Sequence, residues 1–86
     1  MPVATQIKEL IMATQIVLIN GKPHYFEGEP GVLTYDEISN LAGINPEKNP
    51  IIHSVATPMR RAFVMTGPDD IGPRENGATY IVELKA

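Results

Sequence analysis

An α+β fold, a mixed sheet of about five strands packed on one helix, is predicted by three observations in this 86-residue chain. Asn20-Gly21 stands between β-branched and aromatic runs and marks a tight hairpin, because both residues accept the positive φ angles of a two-residue turn. Thr34-Tyr35-Asp36-Glu37 is a capping box that starts a helix. From Ile51 onward, apolar and polar residues alternate in short runs separated by Gly, Pro and Asn, the pattern of half-buried strands. A chain of this length builds one core and buries about 60–65% of the surface its unfolded form exposes.

The hairpin runs from Gln15 to Phe26, with Ile16-Val17-Leu18-Ile19 before the turn and Lys22-Pro23-His24-Tyr25-Phe26 after it. Pro23 has no amide hydrogen, so the second strand is expected at an edge. Gly28-Glu29-Pro30-Gly31 breaks that strand. In the helix, Tyr35, Ile38, Leu41 and Ala42 recur at spacings of three and four and predict an apolar stripe, which Gly43 ends. Asn45 to Pro50 reads as a turn-forming loop, Ile51–Ala56 as a third strand, Ala62–Thr66 as a fourth and Thr79–Leu84 as a fifth, with Tyr80, Val82 and Leu84 on one face. Gly67 to Gly77, rich in Gly, Pro, Asp and Asn, is expected to be mostly turn and loop. Neither a hairpin nor a two-turn helix covers its own apolar face, so the two must pack together. With a right-handed crossover and the last strand beside the first, the architecture is a β-grasp. Residues 1–15 are assigned to an N-terminal extension, an arm or disordered segment with Ile7, Leu10 and Ile11 at helical spacing, and residues 16–86 to the domain.

Composition excludes several classes of function. The chain has no cysteine, hence no disulfide, no thiolate metal site and no thioester formed on its own side chains. A net charge of −3, with only Arg60 and Arg61 adjacent among the basic residues, argues against nucleic acid as a partner. No apolar run is long enough to cross a membrane, and the N-terminal stretch carries Lys8 and Glu9 in its most apolar part, so a cytoplasmic location is expected. His24 and His53 stand without a carboxylate or second histidine at ligand spacing, and no metal site or cofactor is expected. Asp69-Asp70 adjoin Gly67-Pro68 and suit a turn better than acid/base catalysis, and the glycines form no phosphate-binding pattern, so the chain is not expected to be an enzyme.

The run Ile16-Val17-Leu18-Ile19-Asn20-Gly21-Lys22, the helix start Leu33-Thr34-Tyr35-Asp36-Glu37-Ile38 and its end Leu41-Ala42-Gly43 together resemble the bacterial multiubiquitin family of ubiquitin-like domains. Asp70-Ile71 and then Glu75-Asn76-Gly77 before Tyr80-Ile81-Val82 are similar to that family's closing turn and last strand. The resemblance spans roughly residues 16 to 84. It implies a β-grasp (ubiquitin-like) fold and a protein modifier of a bacterial ubiquitination-like pathway that serves antiviral defence. The implied partners are an activating enzyme, a conjugating enzyme, a metalloprotease deubiquitinase-like protein and the target proteins. The sequence departs from ubiquitin by ending Glu83-Leu84-Lys85-Ala86, without terminal Gly-Gly.

Adenylation and transfer require a carboxylate on a slim tail, and alanine is the next smallest residue after glycine. Ala86 is therefore the candidate conjugation terminus, carried on the tail residues Leu84 and Lys85. Lys8, Lys22, Lys48 and Lys85 are the side-chain amines able to accept another modifier, although solvated charge explains each of them. A candidate docking face on the open side of the sheet comprises Ile52, Arg61 and Ile81, while Phe63 and Met65 are expected in the core. Two other functions fit the same residues: a non-conjugated β-grasp module that binds a partner through its sheet, and a sulfur carrier, against which the absence of Gly-Gly weighs.

Overall fold

The computed structural model describes residues 14–84, so the arm predicted within residues 1–15 falls almost entirely outside the described residues, as do Lys85 and Ala86. Its elements are β1 (Gln15–Ile19), β2 (Lys22–Phe26), β3 (Gly31–Thr34), helix α1 (Tyr35–Leu41), a 3-10 turn (Pro46–Lys48), β4 (Ile51–Ser54), β5 (Phe63–Met65), β6 (Ile71–Arg74) and β7 (Thr79–Glu83). Five strands form a mixed sheet in the order β2-β1-β7-β4-β5, with β7 parallel to β1 and antiparallel to β4. One helix packed on this sheet is the expected α+β, β-grasp-like arrangement. Gln15 is buried at the start of β1.

Local chemistry accounts for the hairpin and the helix. Asn20 and Gly21 have φ of 51° and 80°, the two positive values that a tight β1–β2 turn needs. At the start of α1 the Thr34 side chain accepts from the Glu37 amide at 3.1 Å and the Glu37 carboxylate accepts from the Thr34 amide at 3.0 Å. The stripe differs in its last turn: Tyr35 and Ile38 are buried, but Leu41 turns outward and Ala42 packs against the core instead. A helix of seven residues makes less than two full turns against the sheet, so its end rotates away from the core.

Asn20 has a second task that its turn propensity does not reveal. Its side chain accepts from the Val82 amide at 2.8 Å and donates to the Val82 carbonyl at 3.1 Å, extending the short parallel β1–β7 ladder beyond the backbone of β1. At the other end, the Asn76 side chain accepts from the Ile16 amide at 3.1 Å. Two asparagine side chains thus fasten the central strand to the hairpin.

The segment 67–77 departs from expectation, since Ile71–Arg74 is a strand, β6, that pairs antiparallel with β3 in a separate two-stranded ribbon. Gly72 and Pro73 hide it, because both residues argue against a strand when read locally. Gly72 is needed there: a Cβ on it would come within 2.9 Å of the Tyr80 ring. Pro73 is tolerated because its backbone faces away from β3, its carbonyl accepting from the Tyr80 hydroxyl at 2.6 Å, so the ladder asks no amide of it.

Val17 and Ile19 of β1, Ile52 of β4, Met65 of β5 and Tyr80 and Val82 of β7 face Leu33, Tyr35 and Ile38 to make the core. Met65 is fully buried as expected, and Phe63 is half-buried against the same cluster. The two buried phenols, Tyr35 donating to the Pro50 carbonyl and Tyr80 to that of Pro73, are held above their ordinary value of 10.0, chiefly by burial, with Asp36 adding to it at Tyr35 and Glu75 at Tyr80. A raised folded-state value means that the native protein keeps protons the unfolded chain releases, so stability is complete below the ordinary value and falls as pH climbs past it. The urea midpoint is therefore expected to fall between about pH 9 and about pH 11, and to fall less steeply in Tyr80→Phe. An unchanged slope in that variant would remove Tyr80 from the linkage.

Candidate interaction surface

Side chains alternate between the two faces of a strand, so one side of the sheet carries the core and the other is open to solvent. The register assigns each residue. Ile16 lies opposite Tyr25 and Leu18 opposite Pro23, both on the open side, since Val17 and Ile19 between them are buried. Across β7 and β4, Ile81 lies opposite His53, and His53 opposite Val64. The open face therefore presents Ile16, Leu18, Tyr25, Val64 and Ile81, with Tyr25 67%, Val64 52% and Ile81 47% exposed. Single exposed apolar residues are ordinary on a protein surface, but Tyr25, Ile16, Leu18 and Ile81 fall on the three neighbouring strands β2, β1 and β7 and form a patch, with Val64 beyond His53 of β4.

Of the residues the sequence assigned to docking, Ile81 stands near the middle of this face and Arg61 is exposed just before β5. Ile52 is a correction: it is 0% exposed, pairs with the buried Val82 and points into the core. The period of two decides this, because a residue directly beside Ile81 on β4 must have the parity of His53, and Ile52 has the opposite one. His53 itself was not assigned to the face from sequence. Its Nε2 lies 2.9 Å from Glu83 Oε1, a polar pair beside Ile81 at the end of the strand that leads toward the tail. Leu84 is about half exposed. Lys22 and Lys48 are exposed, whereas Lys8 and the tail residues Lys85 and Ala86 lie outside the described residues.

Other polar groups are occupied in holding loops. Arg60 binds Glu75 through two nitrogens at 2.6 and 3.3 Å, tying the turn 57–60 to the start of the β6–β7 connection, and the hydrogen bond to Glu75 holds the guanidinium above its ordinary value. An open groove of about 560 Å³ lies between these two segments, with Met59 at its lip. Asp70 accepts from the Thr66 and Gly67 amides at 2.8 and 3.1 Å, the turn-forming role expected for it. Arg74 donates to the Glu29 carbonyl at 2.9 Å and stacks on Phe26, its guanidinium carbon 5.5 Å from the ring centre. His24 pairs with Val17 and so shares the core side of the sheet, away from His53. Among the described residues no three His, Asp or Glu side chains converge as a metal site requires, and no helix is long and apolar enough to cross a membrane.

No protein-family model, curated protein or solved structure matches the chain.

Proposed function

We propose that the chain is a ubiquitin-like protein modifier, recognised through the open face of its sheet and joined to target proteins through the carboxylate of Ala86. One observation carries the reading: β7, the strand that leads to the tail, is central in the sheet and runs beside an apolar face that no other part of the described chain covers. A tail leaving a central strand starts from a rigid support on both sides, and a partner seated over Ile81 is next to it. In this reading an activating enzyme in the bacterial cytoplasm directs the carboxylate to the α-phosphate of ATP, and pyrophosphate leaves. A thiol of the enzyme then displaces AMP, the acyl group moves to a conjugating enzyme, and a target amine displaces that sulfur. A metalloprotease deubiquitinase-like protein reverses the bond, and defence against phage is the setting proposed for the pathway. The chain supplies the carboxylate and the docking face, and the partners supply every thiol, since this sequence has none.

Incubating the purified chain with the activating enzyme of its own genome and ATP tests the proposal by intact mass. The expected result is a thiol-sensitive adduct that deletion of Ala86 abolishes and that Ile81→Asp slows by about tenfold, equivalent to ~1.4 kcal/mol. No adduct, together with Ile81-dependent capture of a partner, would favour the second reading, a non-conjugated module that binds through the same face. That reading draws on the same apolar patch and needs no tail chemistry.

A further inference from the structure

We propose that β5 is a self-complementary edge on which a second copy of this chain pairs antiparallel, joining two five-stranded sheets into one. The inference is independent of the modifier reading, because it uses neither the tail nor any enzyme.

The two edges of the sheet differ. On β1, the amides of Leu18 and Asn20 donate to Ala78 and Tyr80 of the central strand, so Gln15, Val17 and Ile19 face β2. Their partners Phe26, His24 and Lys22 complete that ladder, which leaves Pro23 and Tyr25 as the outward backbone positions of β2. Proline has no amide to offer, so this edge is blunted at one of its two outward positions. At the other edge, the Val55 amide donates to Thr79, which directs the odd residues of β4 to β7 and the even ones, Ile52 and Ser54, to β5. Their partners are Met65 and Phe63, and Val64 between them turns its amide and carbonyl outward. No proline, lysine or other charged residue interrupts Phe63-Val64-Met65, and the Val64 side chain is 52% exposed. Ala62, also exposed, is the next outward position.

The charges flanking this edge choose the occupant. Arg61 precedes β5 and has no ion-pair partner among the described residues. Asp69 follows β5 at an exposed turn. A twofold axis at Val64 makes the two Val64 residues exchange two hydrogen bonds and sets Ala62 opposite the second copy's Thr66 and Arg61 opposite its Gly67. The Thr66 amide is already held by Asp70, but its carbonyl accepts from Ala62, so the pairing closes with four hydrogen bonds. The same symmetry carries each Arg61 toward the other copy's Asp69 turn, twice over. A parallel pairing would instead set Arg61 beside Arg61 and Asp69 beside Asp69. An isologous contact of this kind closes as a dimer and leaves no further β5 edge to extend. It buries less than a standard interface, so the dimer is weak and concentration-dependent.

Sedimentation equilibrium of the full chain between about 10 µM and about 1 mM, at low and high salt, tests this. The expected result is a monomer–dimer equilibrium that weakens with salt. Amide exchange at Val64 should slow as concentration rises, while that at Tyr25 on the blunted edge should not. Arg61→Asp and Asp69→Arg are each expected to weaken association by about tenfold or more, and the two together to restore it, since the swapped charges meet again across the axis. All these positions are exposed, so folding is unaffected. A monomer throughout the concentration range overturns the proposal, as does a dimer that ignores the charge swap or leaves Val64 exchange unchanged.

Discussion

Replacing Gly72 with alanine is expected to destabilise the protein by about 1–3 kcal/mol, the range for forcing a methyl group into a filled core. The added carbon would stand 2.9 and 3.0 Å from ring atoms of Tyr80 and closer still to its hydroxyl. Tyr80 cannot move aside, because it is wholly buried in the central strand and its hydroxyl is committed to Pro73. The cost is thus specific to one ring, and it predicts coupling. In a Tyr80→Phe background the hydroxyl contact is gone, and Gly72→Ala should cost at least about 0.5 kcal/mol less. Urea unfolding of the four proteins measures both quantities, and simple additivity would show that the strain lies elsewhere. Gly67→Ala, with no atom within 4 Å of the new Cβ, is the control and should be near neutral.

Truncating Ile38 to alanine is expected to cost about 2–5 kcal/mol, a large share of the stability of a domain this small. Ile38 is the most deeply buried apolar residue of α1, and the helix is too short to hold together without its packing on the sheet. Leu41→Ala, one turn later on the stripe read from sequence, should cost less than about 1 kcal/mol because that side chain already turns toward solvent. Equal losses at the two positions would contradict the rotation of the stripe toward Ala42. The comparison is made from denaturation midpoints at constant m-value.

The elements legible in the sequence are those whose causes lie within a few residues. Asn20-Gly21 carries its own turn geometry, Thr34 and Glu37 cap one another across a single turn, and Tyr80 and Val82 alternate with exposed neighbours. From these the central place of β7 and the edge position of β2 followed by chain topology and the missing amide of Pro23. The open face of the sheet was legible only in part: Ile81 does lie on the open side, but its neighbour on β4 depends on cross-strand register, which no residue of β4 encodes alone.

The tertiary structure decided what depends on partners distant in the chain. Gly31–Thr34 and Ile71–Arg74 are joined as a ribbon some forty residues apart, where a glycine that argues against a strand locally makes room for the Tyr80 ring and a proline sits at a position whose backbone faces away from the partner strand, toward the Tyr80 hydroxyl. Asn20 reads as a turn residue, yet it also clamps Val82 from sixty-two positions away. Local conformational preference is a property of a few neighbouring dihedrals and can be read in order along the chain. Close approach, register and the unpaired edge of β5 exist only once remote segments share space, and for that reason they had to be seen in three dimensions.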